Sequence, residues 1–237
     1  SMTTKRIPRR VGYQLTHIRR DVPRCDPALL RAYEGQAAAT VHEAMGRRGA
    51  LDPAIKPLAA DMTVCGRALT VRCHTGDNLM LVKAVSMAGP GDVIVADMGS
   101  AVASGPFGEV LAVECMARGA AGLVVSCTVR DSREIIRMGF PVFSAGLCVR
   151  GTAKATLGTI NHPICIGGEI VRPGDLIVGD ADGVVVVPLE EAPDILRLAE
   201  ERTAKEAAVM DRLRAGESLF DIYGYQRVFD SLHCVEE

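Results

Sequence analysis

An arginine and an aspartate stand next to each other after a predicted buried strand near the middle of the chain. The strand covers residues 122–127, and the pair is Arg130 and Asp131. In an α/β unit, the loop after such a strand borders the ligand cleft. The guanidinium fork of Arg130 suits a carboxylate or a 2-oxo acid, and Asp131 offers the hard oxygen ligand that Mg²⁺ or Mn²⁺ prefers. By itself the pair is equally consistent with a surface ion pair or a helix cap.

A glycine-containing turn precedes the helix that is predicted to begin at Glu109. The turn includes Gly105 and Gly108. The first amides of a helix have no partner within it and carry the positive end of its dipole, so they can bind a carboxylate or a phosphate. Gly108 would let a ligand approach the backbone closely. The same turn is also typical of an ordinary helix start, and it has no dinucleotide-binding or P-loop form.

The two features become more informative when they are taken together. Twenty residues separate Glu109 from Arg130, and they contain one helix–strand unit. The helix start and the loop after the strand can therefore face one cleft. The sequence thus predicts a site that combines an anion-binding helix end, an arginine and two acids, and a small oxo-acid with a metal fits this set.

Composition excludes several other classes of function. The chain has 237 residues and a formal net charge of −2, which gives no broad basic field for nucleic acid or an anionic membrane. No apolar run reaches the ~18–20 residues of a membrane span, and no signal peptide is apparent. The eight cysteines include no CxxC pair, so we expect reduced, buried thiols and a cytoplasmic protein. The histidines lack the spacing of zinc ligands.

The pattern of elements predicts one α/β domain with a helical arm. Strands and helices alternate over residues 60–145, as in an α/β layer fold. Short strands over 163–171, 175–179 and 184–187 make the C-terminal half β-rich, and a charged helix covers 189–214. We therefore predict an N-terminal extension over 1–25, an α/β domain over 26–188 and a C-terminal helical arm over 189–237.

Capping residues and periodicity predict where individual helices begin and what they bury. Asp26 would cap a first helix, residues 40–43 fit a capping box for a second, and Asp77 would cap a third that ends near 88. The apolar side of the charged helix would consist of Ile195, Leu198, Ala199 and Met210.

These motifs resemble those of the 4-hydroxy-4-methyl-2-oxoglutarate / 4-carboxy-4-hydroxy-2-oxoadipate aldolase family, within the larger group that includes the RraA regulator of ribonuclease E. The family signature is an acidic residue, twenty further positions and then Arg-Asp, here Glu109 with Arg130 and Asp131. The resemblance covers the chain in order from about residue 26 to residue 230. The other matching stretches are residues 40–46, 90–97, 108–112, 119–125, 139–143, 173–175, 180–187, 215–217 and 221–223.

The resemblance implies a fold, an assembly and a reaction. The fold is the swivelling β/β/α type of RraA-like proteins, assembled as homotrimers or homohexamers with active sites at subunit interfaces. The reaction is class II, divalent-metal-dependent retro-aldol cleavage of a 4-hydroxy-2-oxo diacid to pyruvate and a second oxo-acid. The diacid would be 4-carboxy-4-hydroxy-2-oxoadipate or 4-hydroxy-4-methyl-2-oxoglutarate, with oxaloacetate decarboxylation alongside.

The resemblance also assigns roles to residues. Asp131 would hold Mg²⁺ or Mn²⁺, largely through water, and Arg130 would bind the oxo group of the substrate. Glu109 would be a catalytic acid beside the metal or would support the metal through water, and a water network near Glu109 and the metal could move protons. Glu206 of a neighbouring subunit would complete the metal site, although a solvated helix face explains Glu206 equally well. The amides assigned to the pyruvyl carboxylate are those of Gly108, Glu109, Val110 and Leu111.

Some residues depart from the family pattern, and other functions remain open. Residues 126–128 are Ser-Cys-Thr where the family often has an Asp-Gly type of sequence before Arg-Asp, and Glu109 replaces an Asp of several members.

Two rival functions remain open. One rival is a non-catalytic, RraA-like regulator of ribonuclease E, and another is a metal-dependent lyase or hydrolase for a related acid. Lys83 and Lys154 are candidates for a Schiff base by residue type only, and the metal route is favoured.

Overall fold

A computed structural model describes residues 16–99 and 104–237 of the chain. Most of the predicted N-terminal extension, residues 1–15, lies outside the described residues. So do residues 100–103, in the middle of the small-residue loop that is predicted to precede the helix at Glu109.

The described elements follow the predicted order. The helices are α1 (Pro27–Tyr33), α2 (Ala38–Ala44), α3 (Leu79–Met87), α4 (Glu109–Ala117), α5 (Ser132–Met138), α6 (Ala192–Arg214), α7 (Leu219–Ile222) and α8 (Gln226–Ser231). The strands are β1 (Lys56–Pro57), β2 (Val64–Arg72), β3 (Asp92–Asp97), β4 (Gly122–Val125), β5 (Val142–Ser144), β6 (Thr159–Ile160), β7 (Ile164–Ile166), β8 (Glu169–Val171), β9 (Leu176–Asp180) and β10 (Gly183–Val187).

One sheet of eight strands organises the described residues. Its order is β1-β5-β4-β3-β2-β9-β10, with β6 paired to β2 as well. The strands β2, β3, β4 and β5 are parallel, whereas β9 and β10 pair antiparallel. The side chain of Lys56 in β1 donates to the carbonyl of Asp182, just before β10. This contact joins the two ends of the sheet and nearly closes it. The predicted α/β fold with a β-rich C-terminal half is confirmed.

The parallel strands are buried on both faces. Residues 93–96 of β3 and 123–125 of β4 have no exposed surface. Such strands need continuous apolar sequence rather than alternation, and the sequences Val-Ile-Val-Ala and Leu-Val-Val provide it. One face packs against α3, α4 and α5, and the other packs against β7, β9 and β10. The loops that follow the parallel strands are therefore held on a rigid base.

Local capping signals predict some helix starts correctly and miss one. Asp26 accepts a hydrogen bond from the amide of Ala28 at 2.8 Å, as predicted for the cap of α1. The predicted capping box over 40–43 is wrong, because α2 begins at Ala38. The amide of Ala38 donates to Asp180 at the end of β9, at 2.9 Å. A side chain that is distant in the sequence thus replaces the local cap.

The C-terminal arm starts from a buried anchor. A short 3₁₀ turn over Leu189–Glu191 precedes α6, and the hydroxyl of Tyr33 donates to the carbonyl of Ala192 at 2.6 Å. Ile195 and Ala199 are buried as predicted, but Leu198 and Met210 are 39% and 45% exposed in the single chain. The predicted apolar side is therefore only partly buried in one chain, because the buried residues of α6, Ala192, Ile195 and Ala199, all lie in its first turns. No helix among the described residues is long and apolar enough to cross a membrane.

The eight cysteines form no disulfide. Cys73, Cys115 and Cys127 are buried in the core, and this burial raises the pKa of their thiols to about 12. The prediction of buried thiols is wrong for Cys165 and Cys234, which are exposed.

Candidate active site

The corner after β4 holds Arg130 and Asp131 in a fixed backbone conformation. The amide of Arg130 donates to the carbonyl of Phe107 at 3.0 Å, which ties this corner to the loop before α4. Asp131 is left-handed, with φ 59° and ψ 36°, and immediately precedes α5. Aspartate tolerates this conformation better than most residues. The side chain of Asp131 does not cap α5, so its carboxylate is available elsewhere.

The carboxylate of Asp131 lies at the start of the neighbouring helix. Its Oδ2 accepts a hydrogen bond from the amide of Glu109, the first residue of α4, at 2.9 Å. This end of α4 has amides without partners in the helix and carries the positive end of the dipole. The hydrogen bond therefore brings together the two sequence features that were predicted to face one cleft.

Two glycines make this close approach possible. A Cβ on Gly108 would lie 2.3 Å from Oδ2 of Asp131, and a Cβ on Gly105 would lie 2.5 Å from the carbonyl oxygen of Cys148 and 2.9 Å from Cδ of Arg130. The φ of Gly108 is −147°, which any residue can adopt. Gly108 is therefore needed for space rather than for backbone freedom, and the group that it admits is the side chain of Asp131.

A cleft of about 450 Å³ opens at this point. That volume suits a small organic acid. Five predicted site residues line it, namely Gly108, Val110, Leu111, Arg130 and Asp131. The other lining residues are Asn78, Val82, Gly105, Pro106, Glu114, Gly151, Thr152 and Lys154.

The remaining predicted residues are placed differently. The side chain of Glu109 is exposed and is not among the described residues that line the cleft; its backbone amide contributes instead. Glu206 lies on α6, where its carboxylate pairs with Arg202 at 3.1 Å. Its predicted role concerns a neighbouring subunit and stays a prediction.

The donor atoms at the cleft fit a cation that keeps most of its water. No cluster of three or more His, Cys, Asp or Glu side chains that could hold a metal occurs in the described part of the chain. Asp131 is exposed, and its Oδ1 accepts no hydrogen bond from the residues described. Mg²⁺ commonly binds through one or two carboxylates and retains several waters. A single free carboxylate oxygen at a cleft is compatible with that mode.

A second corner, formed by Asp77 and Asn78, adjoins the cleft. The sequence predicts only a helix cap at this position. Oδ1 of the buried Asp77 accepts from the amide of Leu79 at 2.9 Å, and Oδ2 accepts from the amides of Ala155 and Thr156 at 2.7 and 2.9 Å. Burial alone would raise the pKa of Asp77, but these donors hold it below the ordinary value of 3.8. Asp77 accepts from the first amide of α3, but it lies one residue before the position predicted for it, because the N-cap residue of α3 is Asn78. Asp77 also fixes a loop from the other half of the chain.

The neighbouring Asn78 connects this corner to the loop that carries Gly108. Its side-chain amide donates to the carbonyl of Pro106 at 2.8 Å, and its backbone amide donates to the carbonyl of Ala153 at 3.0 Å. Two adjacent residues therefore hold two segments of the cleft at once. The sequence pattern missed this role of Asn78, because both partners lie far away along the chain.

Comparisons with known proteins identify the family of this chain. The profile of the RraA-like family, described as Aldolase/RraA, matches residues 38–186. A protein of Halalkalibacterium halodurans named "Putative 4-hydroxy-4-methyl-2-oxoglutarate aldolase" is 40% identical over 169 residues, which cover 70% of this chain and 80% of that protein. An uncharacterised protein of Methanocaldococcus jannaschii is 32% identical, over 71% of this chain and 82% of that one.

Solved structures share the fold. RraAS2 of Streptomyces coelicolor, described as an unusual member of the RNase ES inhibitor RraA family, superposes with a TM-score of 0.73 at 26% identity, over 80% of this chain and 99% of that chain. An uncharacterised protein of Pseudomonas syringae superposes with a TM-score of 0.78 at 24% identity, over 85% and 95% of the two chains, and this supports the fold alone. The predicted RraA-like fold is confirmed, and the chain belongs to the RraA-like family of aldolases and RraA proteins.

Proposed function

We propose that this chain is a class II aldolase that depends on a divalent metal and cleaves a 4-hydroxy-2-oxo diacid to pyruvate and a second oxo-acid. The observation that carries the proposal is the carboxylate of Asp131 docked at the start of α4, beside Arg130, in one cleft. The aldolase name of the relative that is 40% identical supports a lyase. The candidate substrates are 4-carboxy-4-hydroxy-2-oxoadipate and 4-hydroxy-4-methyl-2-oxoglutarate.

The start of α4 and Arg130 would bind the oxo-acid end of the substrate. The amide of Glu109 already donates to Asp131, so the amides of Val110 and Leu111 are the better donors for the substrate carboxylate. Both residues line the cleft, and amides in the first turn have no acceptor within the helix. The guanidinium of Arg130 would donate to the oxo oxygen, where negative charge develops.

Asp131 would hold the metal through Oδ1 and bound water. A bound Mg²⁺ or Mn²⁺ supplies positive charge that stabilises an enolate. The hydrogen bond from the amide of Glu109 orients the carboxylate of Asp131. This preorganisation favours catalysis, because the group need not reorient during the reaction.

The reaction is balanced without any further reagent. The C3–C4 bond breaks, its electron pair forms the pyruvate enolate, and the C4 hydroxyl gives its proton to a water molecule of the cleft near Glu109 as C4 becomes a carbonyl. A proton then adds to C3, which gives the methyl group of pyruvate. Arg130 would stabilise the enolate oxygen by donating hydrogen bonds to it. Oxaloacetate decarboxylation passes through the same enolate, with CO₂ as the other product, so we expect it as a side activity.

We expect the active enzyme to be a cytoplasmic homotrimer or homohexamer. The exposed apolar residues Leu198 and Met210 on α6 fit a helix that packs against a neighbouring subunit. In that arrangement Glu206 of a neighbouring subunit would complete the metal site. Analytical ultracentrifugation tests the assembly, and a monomer with full activity would contradict it.

The central experiment measures pyruvate release from both candidate diacids with Mg²⁺ or Mn²⁺ present. The wild-type chain should release pyruvate, and Arg130→Ala and Asp131→Ala should lose this activity together with oxaloacetate decarboxylation. Lys83→Met, on the exposed side of α3, is a matched control that should retain both activities. Absence of pyruvate release by the wild-type chain would refute the proposal.

A second candidate is an RraA-like regulator of ribonuclease E that has no catalytic activity. The structural likeness to RraAS2, and to the RNA-processing inhibitor RraA of Thermus at a TM-score of 0.59, favours this alternative. It predicts that the chain inhibits ribonuclease E in a purified cleavage assay, without any divalent-metal requirement for binding. Pyruvate release without such inhibition would exclude it.

A further inference from the structure

We propose that Lys154 is a specificity-determining residue that binds the distal carboxylate of the substrate. This inference rests on the proposed function, since it names the group in the same cleft that distinguishes a diacid from a monoacid. Lys154 lines the cleft together with Arg130 and Asp131.

The cleft is lined by two acids and two cations, and only one of the four, Glu114, forms an ion pair with the described residues. Glu114 pairs with Arg118 at 2.7 Å, and Asp131 accepts from the amide of Glu109. The side chains of Arg130 and Lys154 form no ion pair or hydrogen bond with the part of the chain described here. Asp131 is thus the only acid of the cleft without a cationic partner among the described residues, and the proposed function assigns it to the metal. The two unpaired cations, Arg130 and Lys154, would match a ligand with two negative charges.

The chemistry of the proposed substrate gives each cation a different partner. Arg130 and the first amides of α4 would take the oxo-acid end, where planar, bidentate donation is useful. The second carboxylate of a diacid lies several bonds away and takes no part in bond breaking. A compact ammonium with three donors suffices to bind such a group, and Lys154 is the remaining cation among the described lining residues.

The backbone on both sides of Lys154 is anchored to the Asp77 corner. The amide of Ala153 donates to the carbonyl of Gly76 at 2.9 Å, and the amides of Ala155 and Thr156 donate to the carboxylate of Asp77 at 2.7 and 2.9 Å. The attachment point of Lys154 is thus fixed while its side chain stays exposed. Asp77 is therefore a positioning residue, which acts on the substrate only through the loop that carries Lys154.

The test compares two ligands that differ only in the distal carboxylate. Titration calorimetry with Mg²⁺ present would measure binding of 2-oxoglutarate and of 2-oxopentanoate, which has the same chain length without the second carboxylate. The wild-type protein should prefer the diacid by about tenfold, the effect of one charge-assisted hydrogen bond. Lys154→Met should remove this preference by weakening the diacid alone, and Lys154→Arg should retain most of it.

Two further variants separate charge from structure. Lys83→Met removes an exposed lysine outside the cleft and should keep the preference for the diacid. Asp77→Asn keeps Lys154 but weakens its anchor, so it should lower the preference without changing the affinity for 2-oxopentanoate. Equal preference in the wild-type protein and Lys154→Met, or no preference in the wild-type protein, would overturn the role of Lys154.

The outcome is distinguishable from failure of the proposed function. If no diacid releases pyruvate but Lys154→Met still abolishes the preference for 2-oxoglutarate, the aldolase proposal fails and the diacid subsite stands. If pyruvate is released and the preference survives in Lys154→Met, only the subsite fails. Inactivation by borohydride in the presence of substrate, absent in Lys154→Met, would show that Lys154 forms a Schiff base and would also overturn the subsite.

Discussion

The carboxylate of Asp131 and the backbone amide of Glu109 are joined by a hydrogen bond of 2.9 Å. This bond connects the residue that precedes α5 with the first residue of α4. A side chain that would ordinarily cap its own helix caps the adjacent helix instead. The bond fixes the acid of the cleft against a positive helix end, so substitutions at either residue should affect activity and stability to different extents.

Replacement of Asp131 by asparagine should abolish activity and leave the fold intact. Asparagine also tolerates the left-handed backbone, and its side-chain oxygen can still accept from the amide of Glu109. The lost negative charge removes the proposed metal ligand, so kcat/KM should fall at least about hundredfold. The free energy of unfolding should fall by no more than about 1 kcal/mol, the usual contribution of a charge at a helix end.

The matched variant Asp131→Ala should lose the same activity and more stability. Alanine provides no cap and adopts the left-handed conformation less readily than aspartate. The free energy of unfolding should therefore fall by about 2 kcal/mol. Kinetic assays and urea denaturation of both variants check this pair of predictions. Comparable activity of Asp131→Asn and the wild-type protein would show that the charge at this position is not needed.

Replacement of Gly108 by alanine should impair the site because the added methyl group would clash with the side chain of Asp131. The added Cβ would lie 2.3 Å from Oδ2 of Asp131, so the carboxylate must move away from the start of α4. We expect kcat/KM to fall at least about tenfold, since small misplacements of positioned groups have large effects. Gly89→Ala is the control, because its Cβ would lie 4.0 Å from the nearest side chain, that of Asp92. A fully active Gly108→Ala would show that the position of Asp131 is unimportant.

The sequence predicts short-range features well, and the parallel strands are the clearest example. The apolar runs at 93–96 and 123–125 indicate strands buried on both faces, and the structure has them. Because loops after parallel strands meet at one edge, the convergence of Glu109 and Arg130 on one region could also be predicted from spacing. The structure adds that Glu109 contributes its amide to Asp131, whereas its side chain is exposed.

Long-range hydrogen bonds account for what the sequence could not predict. Asp180 caps α2 from the end of β9, and Oδ2 of Asp77 accepts from amides 78 and 79 positions later. Propensity and periodicity describe neighbours within one or two turns, so they contain no information about such partners. For the same reason, the sequence identifies Lys154 only as a Schiff-base candidate by residue type. Its position in the cleft depends on the loop that the carboxylate of Asp77 holds.

Removal of divalent metal should stop the reaction without unfolding the protein. The described residues contain no cluster of metal-binding side chains that could act as a structural site, and Asp131 is exposed rather than part of the core. We therefore expect EDTA to abolish pyruvate release while the thermal unfolding midpoint changes little, and added Mg²⁺ or Mn²⁺ should restore activity. Activity that persists after exhaustive chelation would contradict metal dependence, and unfolding on chelation would indicate a structural metal.

Asp77 should stabilise the protein in a way that depends on pH. Its folded pKa lies below the ordinary value of 3.8, so the unfolded chain binds the proton more readily. The stabilisation is therefore complete above the unfolded pKa and decreases as the pH falls through the folded pKa. At neutral pH, Asp77→Asn should lower the free energy of unfolding by about 1–3 kcal/mol, because an amide cannot accept all three backbone donors.

The measurement is urea denaturation of the wild-type protein and Asp77→Asn at neutral pH and at about pH 3, where the difference between them should become smaller. Asp61→Asn replaces an exposed carboxylate and serves as the matched control, with little change at either pH. A difference that stays constant or grows at low pH would contradict the role of the charged Asp77. Loss of stability in Asp77→Asn should also coincide with faster amide hydrogen exchange at Ala155 and Thr156, because these two amides donate to the Asp77 carboxylate.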